Sequence, residues 1–377
     1  MESLKNKLGY YFDNLRIGVI YNGNRSSEGA IIHTVHNPRS EKSYQPVAED
    51  IAQGLRNVGF RHILTIPDDL NLAQRLRSER INLAWLNTAG IQGLDAAAHA
   101  PSLLELSGIP YIGHRPLNVL TLDNKHIFKG LCTRMGIPTP PFMVWDCARG
   151  LLSPDREPRF REAFGDYAGP FVVKPVTGRA SLNVVLVDNL GGLPQAVDEV
   201  HRKTLNQVQI ETYVGGSEYC VSVCGPTIAR GGQLERRDEL FVFSVLERVL
   251  GNDEKIFTSM DVRPITSDRI RLLDTTDGPV FEQLSQLARK VYTELQLRTL
   301  IRLDVRADSE GRLHVLEANP KPDLKRPEGP RISLACAGLH QHGMRYEDLL
   351  LSLIADTLSH NTHRIDGMIG QMETPFQ

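Results

Sequence analysis

No stretch of this 377-residue chain has the roughly 20 consecutive apolar residues that a membrane span requires. The first residues, Met1-Glu2-Ser3-Leu4-Lys5, lack the apolar core of a secretory signal, so a cytoplasmic protein is expected. There is no basic block either. The formal net charge is −2, which argues against a nucleic-acid or membrane-surface partner. Cysteine is scarce: five residues, an odd number at irregular spacing, read as reduced thiols rather than a disulfide framework. Cys220 and Cys224 sit in an apolar segment and read as packing residues, not as half a metal site. The Gly-x-Gly-x-x-Gly turn of a dinucleotide-binding oxidoreductase is missing, because Gly18 and Gly23 are wrongly spaced for it. No internal repeat or low-complexity tract is present. What remains, 41% hydrophobic and 23% charged residues, is ordinary globular composition in a chain long enough for two or three domains.

Along the first part of the chain, strand and helix signals alternate. Arg16 to Tyr21 reads as a buried strand ending at Asn22-Gly23-Asn24. Val47, Ile51, Leu55 and Val58 fall at helical spacing, with Gly59 as the stop. His62 to Ile66, a helix from about Asp68, Ile81 to Leu86, and Ile109 to Gly113 continue the series. Strands separated by helices predict a parallel, doubly wound sheet. Ligands of such sheets bind beyond the carboxyl ends of the strands, so the Asn22–Glu28 and Asn87–Gly93 loops are candidate contacts, or plain connections. A second unit starts near Thr121. Lys125 and Lys129 lie one helical turn apart, before Gly136-Ile137-Pro138-Thr139-Pro140-Pro141 ends the helix. Gly169 to Lys174 is an apolar strand, Thr177 to Ser181 a polar loop, and Leu182 to Val187 a returning strand. Gln207 to Glu211 and Tyr219 to Cys224 are further strands, separated by Gly215-Gly216-Ser217-Glu218.

The densest chemistry comes late. Ile301, Leu303 and Val305 alternate with Arg302, Asp304 and Arg306, the period of a half-buried strand. Asp308-Ser309-Glu310-Gly311 turns the chain, and Leu313 to Glu317 returns it toward Asn319. On such a hairpin Arg302 and Asp304 share a face that Glu317 and Asn319 can approach. Two carboxylates, an amide oxygen and a guanidinium form a hard, oxygen-rich set suited to Mg²⁺ carrying a phosphate. Charged hairpin faces usually only solvate. Glu317-Ala318-Asn319-Pro320 directly after the paired strand favours the metal reading.

These pieces, in this order, resemble the ATP-grasp superfamily, and within it the D-alanine–D-alanine ligase group. The likeness covers about Thr121 to Leu324 well and the first domain in outline. It implies an N-terminal α/β domain with a doubly wound parallel sheet (1–120), followed by two α+β units (121–214 and 215–377) that sandwich ATP. By the resemblance, Lys129, Lys174 and Ser181 meet phosphates, and Glu211 opens a hinge whose backbone, through Thr212 to Val214, meets adenine. Glu218 takes the ribose hydroxyls, and Asp304, Glu317 and Asn319 hold two Mg²⁺ ions, with Mn²⁺ as a substitute. Arg302 stabilises the charge of the moving phosphoryl group. Lys255, in a covering segment from Arg248 to Thr258, reaches the phosphates on closure, unless that segment is a plain exposed loop. The implied reaction is phosphorylation of a substrate oxygen followed by attack of an amino-acid amine, in a homodimer joined through the first domain.

Where the resemblance stops, a different substrate is expected. The group has an acidic Gly-Glu-Asp-Gly element where this chain has Asn87-Thr88-Ala89-Gly90-Ile91-Gln92-Gly93. The Ser and Glu that follow its Gly-Gly turn are only partly matched by Asn22 to Glu28. After Asn319, Pro320-Lys321-Pro322-Asp323-Leu324-Lys325-Arg326 replaces the usual Pro-Gly and serine. The expectation is therefore a specialised ligase, of mycosporine-glycine with an amino acid or of a natural-product dipeptide. Lys321, Lys325, Arg326 and Arg331 would receive its carboxylates. The alternatives are a D-alanine–D-alanine ligase of cell-wall synthesis and a non-catalytic ATP-binding protein. The latter would be expected to lose a metal ligand or the arginine, and none is lost.

Overall fold

The computed structural model describes residues 2–24, 26–27, 44–93, 95–178, 181–251, 254–256, 265–327 and 332–373. Helix α1 (Glu2–Asn14) precedes the first sheet, built from β1 (Arg16–Asn22), β2 (His62–Asp68), β3 (Leu83–Asn87) and β4 (Tyr111–Ile112). Its order is β2-β1-β3-β4 and every pairing is parallel, as the alternation requires. Helices α2 (Gln45–Val58), α3 (Leu72–Ser78) and α4 (His99–Ser107) make the crossovers. In α2 the face carrying Ala48, Ile51, Ala52 and Leu55 is buried, and the helix stops at Gly59, whose φ of 128° disfavours any side chain. The strand order reverses between β1 and β3, so the open carboxyl ends of β1 to β3 form a crevice.

Helices α5 (Pro116–Asp123) and α6 (Lys125–Arg134) lead into a four-stranded antiparallel sheet of order β5-β8-β6-β7. Its strands are β5 (Phe142–Trp145), β6 (Phe171–Pro175), β7 (Val185–Val187) and β8 (Val208–Thr212). Helices α7 (Pro158–Phe164) and α8 (Leu193–Thr204) cover one face through Phe160, Phe164, Val197 and Val200. The strand expected from Leu182 starts only at Val185. Ser181 and Asn183 take positive φ, 54° and 58°, and this left-handed backbone extends the turn.

The third part is a five-stranded sheet of order β13-β12-β9-β14-β15, with a β10–β11 hairpin beside it. Its strands are β9 (Glu218–Cys224), β10 (Thr227–Arg230), β11 (Gln233–Arg236), β12 (Phe241–Arg248), β13 (Ile270–Leu272), β14 (Ile301–Ala307) and β15 (Leu313–Asn319). Helix α9 (Pro279–Glu294) packs Leu284, Ala288 and Val291 onto it, together with Phe128 of α6. The long helix α10 (Tyr346–Glu373) shares one core with Ile17, Val19, Ile51 and Leu55 of the first sheet and Ile228 of the hairpin. It also completes the edge of that hairpin. Ser352 and Asp348 accept the N–H groups of Ala229 and Gly232 at 2.8 and 2.9 Å. A Cβ on Gly225 would lie 2.1 Å from the Asp356 carboxylate of α10. Gly225→Ala should therefore cost about 1–3 kcal/mol by overpacking, read as a lowered thermal midpoint. An unchanged midpoint would contradict this packing. Among the described residues, no helix is long and apolar enough to cross a membrane.

Candidate active site

Between the four-stranded and five-stranded sheets lies a cleft of about 790 Å³ including its open mouth. Val172 of β6 and Leu316 of β15 line it, as do Ser181, Leu182 and Val184 of the intervening loop. The segment from Glu211 to Val214 forms another wall. The N–H groups of Thr212 and Tyr213 are used by the carbonyls of Pro141 and Pro170, both at 3.0 Å.

At one side stand two lysines and one carboxylate. The Asn124 side chain caps α6, accepting from the Ile127 N–H at 3.1 Å, and so fixes Lys125 and Lys129 on the buried helix face. Lys129 and Lys174 each donate to Glu211, to separate oxygens and both at 2.5 Å, and Gln209 adds a third donor at 2.9 Å. Burial alone would raise the Glu211 pKa, but the two ammonium groups reverse this and hold it at about 2. Burial and the second ammonium pull Lys129 down to about 8, against the attraction of Glu211. One carboxylate between two ammonium groups leaves the cluster with a net positive charge. Lys174 forms part of the cleft wall, whereas Lys129 is fully buried behind Glu211. The Glu211 side chain is thus spent on positioning lysines.

On the opposite side, register places Asp304 of β14 directly across from Glu317 of β15, and Arg302 across from Asn319. Arg302 grips Asp304 with two bonds, Nε to Oδ1 at 2.8 Å and Nη2 to Oδ2 at 3.1 Å. Arg248, at the end of β12, adds a bond to Asp304 Oδ2 at 3.1 Å and one to Glu218 Oε1 at 2.5 Å. The thiol of Cys220 donates to Asp304 Oδ1 at 3.3 Å. Burial would raise the Asp304 pKa, yet the two guanidinium groups hold it far below the usual carboxylate range. Lys125 lies 3.3 Å from Glu317 Oε2 and donates to the Gly178 carbonyl at 3.0 Å, bridging the hairpin to the loop. Asn319 and Arg302 are near this cluster but are not part of the cleft wall.

The donor chemistry suits a hard cation. Like charges directly opposed on neighbouring strands are unfavourable unless cations neutralise them. Here Arg248, Arg302 and Lys125 do so. Among the described residues, no group of three or more His, Cys, Asp or Glu could hold a metal. Two carboxylates and an amide oxygen are the partial set that Mg²⁺ completes with water and phosphate oxygens.

Lys255 stands at the rim. Its ammonium is 3.6 Å from the exposed Asp188, while its backbone carbonyl accepts from the Tyr213 hydroxyl and from Arg306, both at 2.7 Å. Residues 252, 253, 257 and 258 of the expected covering segment lie outside the described residues, as do Arg179 and Ala180 of the polar loop. Two charged cleft residues, Arg248 and Arg306, carry no role in the sequence reading. Arg306 shares the face of Arg302 and Asp304, so the alternation could have shown it. Arg248 meets Glu218 and Asp304, 30 and 56 residues away, a pairing that no local pattern signals.

At the carboxyl ends of the first sheet, Asn22 Oδ1 accepts from the Ala89 N–H at 2.8 Å, and Asn22 Nδ2 donates to the Gly90 carbonyl at 2.9 Å. The Thr88 hydroxyl donates to Asp68 at 2.6 Å, and burial raises the pKa of Asp68 to about 6. Residues 25 and 28 of the Asn22–Glu28 candidate loop, and 29–43 after it, are outside the described residues.

The chain matches the family described as D-ala D-ala ligase C-terminus over residues 131–355. An uncharacterized protein of Sinorhizobium fredii is 29% identical over 253 residues, 66% of this chain and 68% of its own length. D-alanine–D-alanine ligase B of Pseudomonas putida is 26% identical over 297 residues, 78% of this chain and 82% of its own. The structure of a D-alanine–D-alanine ligase from Bacillus anthracis complexed with ATP has the same fold. Its TM-score is 0.65 at 20% identity, over 93% of this chain and 99% of that one. A D-Ala:D-Ser ligase from Enterococcus faecalis gives 0.64 at 18%, over 91% and 99%.

These relatives overturn the expectation of a mycosporine-glycine or natural-product substrate, since the ligases among them are named for D-alanine. The structure gives the physical reason. From Asn87 to Ile91 the chain is buried and bonded to Asn22, so missing acids there say little about a ligand. Two of the cations after Asn319, Lys321 and Arg326, are also committed. Arg326 bonds Glu347 at 2.8 Å and stacks on Tyr346, and Lys321 sits 3.4 Å above the Tyr44 ring. Arg331 lies outside the described residues.

Proposed function

Because the chain belongs to the D-ala D-ala ligase C-terminus family, we propose that it joins two molecules of D-alanine at the expense of ATP. It has the ATP-grasp fold and is an ATP-dependent carbon–nitrogen ligase acting on small molecules, and Mg-ATP is the nucleotide form typical of the family. One observation supports the site assignment above all: a cluster of net positive charge, Lys129–Lys174–Glu211, faces the carboxylate pair Asp304–Glu317 across a single cleft.

In this reading the adenine ring lies between Val172 and Leu316, with the Thr212–Val214 backbone along its edge. The ribose hydroxyls donate to Glu218, and the phosphates meet Lys174, Lys125 and Ser181. Lys129 acts through Glu211, whose second oxygen orients Lys174. Asp304, Glu317 and Asn319 would hold two Mg²⁺ ions, or Mn²⁺ in their place, which neutralise charge on the phosphate oxygens. A carboxylate oxygen of the first D-alanine takes the γ-phosphoryl group and ADP departs. Arg302 stabilises the charge in flight. The amine of the second D-alanine attacks the acyl carbon, phosphate leaves with its oxygen, and the amine proton passes to solvent. Phosphate leaves readily where hydroxide does not. The closed cleft keeps water from the acyl phosphate. We assign the first domain (1–120) to substrate binding and to a homodimer contact, and 121–214 and 215–377 to the two halves of the nucleotide site. The five free cysteines fit a cytoplasmic location.

ADP release with Mg-ATP should rise at least tenfold on adding D-alanine, with a D-alanyl dipeptide detected by mass spectrometry. Turnover that ignores D-alanine would end this reading. Lys174→Met should raise the KM for ATP about 10–100-fold, the loss of one charged hydrogen bond to phosphate. An unaltered KM would remove Lys174 from the phosphate site.

A further inference from the structure

Arg248 is shared between two groups that the proposed chemistry uses separately. Its Nη1 donates to Glu218, opposite it on β9, and its Nη2 donates to Asp304 two strands away. Arg248, Glu218 and Asp304 are all at least nine-tenths buried, and all three line the cleft. Glu218 has a second cation, Arg306, at 3.9 Å, and Asp304 keeps both bonds from Arg302. Arg248 is therefore the member of the network that can leave without stranding either carboxylate. Arg302 stands off the cleft wall, whereas Arg248 is on it.

We propose that Arg248 closes the divalent-cation site until nucleotide arrives. This rests on Asp304 and Glu317 being the cation ligands proposed above. A guanidinium 3.1 Å from Asp304 Oδ2 occupies a lone pair the cation needs and repels a second positive charge at that spot. Magnesium ions surrender their water reluctantly, so a carboxylate already satisfied by guanidinium groups is a poor competitor. Nucleotide changes the balance. Ribose hydroxyls replace Arg248 on Glu218, and phosphate oxygens offer the guanidinium a planar, doubly bonded partner. Arg248 moves to the phosphates and Asp304 opens. The cation is thus admitted together with the phosphates it will neutralise, and empty protein does not accumulate metal. Coupling of this kind is reciprocal, so bound cation strengthens nucleotide binding by the same factor.

The test is titration of Mn²⁺, followed through the electron paramagnetic resonance signal of the free ion, with and without saturating ADP. Binding is counted beyond that of Mn–ADP in buffer. Wild-type protein should bind Mn²⁺ at least tenfold more weakly without ADP than with it. Arg248→Gln should tighten binding to nucleotide-free protein on the order of tenfold, and Arg248→Lys, which reaches one carboxylate only, by a lesser factor. Equal wild-type affinity with and without ADP would overturn the proposal, and so would unchanged nucleotide-free affinity in the folded variants. If Arg248→Gln does not fold, the lysine variant and the wild-type comparison still decide. Wild type that takes up no Mn²⁺ even with ADP would refute the cation ligands themselves, a different failure.

Discussion

Glu211→Gln should cost about 3–5 kcal/mol of stability and abolish nucleotide binding. The carboxylate accepts from Lys129 and Lys174 in a site where Lys129 has no exposure and Glu211 only 3%. An amide in its place removes the one negative charge and leaves two buried ammonium groups facing each other. Trp145 lies on β5, whose strand partner is β8, so its fluorescence in urea reports the sheet that carries Glu211. Acid should act on the same group. Its folded pKa, about 2, is depressed from the ordinary value of 4.5, so its contribution is fully present above about pH 4.5 and is lost as pH falls toward 2. Wild-type stability should therefore fall across that window, and the glutamine variant should lack this component. An unchanged urea midpoint in Glu211→Gln would show that the two lysines do not depend on it.

The second large effect separates chemistry from stability. Asp304→Asn and Glu317→Gln should each lower kcat by about 10²–10³-fold, the several kcal/mol expected for a lost metal ligand. Their effects on folding should differ. Asp304 neutralises the buried Arg248 and the largely buried Arg302, so its amide also destabilises the protein. Glu317 is about 30% exposed and, among the described residues, pairs with Lys125 at 3.3 Å, so its amide should leave the melting temperature within a few degrees of wild type. Parallel kinetics and thermal melts read both quantities. Near-normal kcat in both variants would remove the hairpin from the active site.

Much of this was visible in the sequence because it was local. The β14–β15 hairpin announces itself through period-2 alternation and a Gly-containing turn, and its register then puts Asp304 against Glu317 automatically. Lys125 and Lys129 were readable as a helical pair, and the parallel first sheet as strands between helices. What was hidden depends on distant partners. Arg248 ends an apolar strand, and only the pairing of β12 with β9 brings it to Glu218. Glu211 reads as the start of a hinge, yet its side chain belongs to two lysines from other elements. In the loop before β7, Ser181 and Asn183 take a left-handed backbone that their residue types do not announce. The absence of acids from Asn87 to Gly93 invited a substrate argument from a segment whose amides and side chains serve its own fold.

The central claim is that this cleft activates a carboxylate by moving a phosphoryl group onto it before the amine attacks. D-Alanine labelled with ¹⁸O in both carboxylate positions, incubated with Mg-ATP and the protein, tests that transfer of oxygen directly. The account predicts inorganic phosphate carrying one labelled oxygen for each dipeptide formed, with the other label retained in the peptide carbonyl. Phosphate released without label, alongside dipeptide, would contradict it.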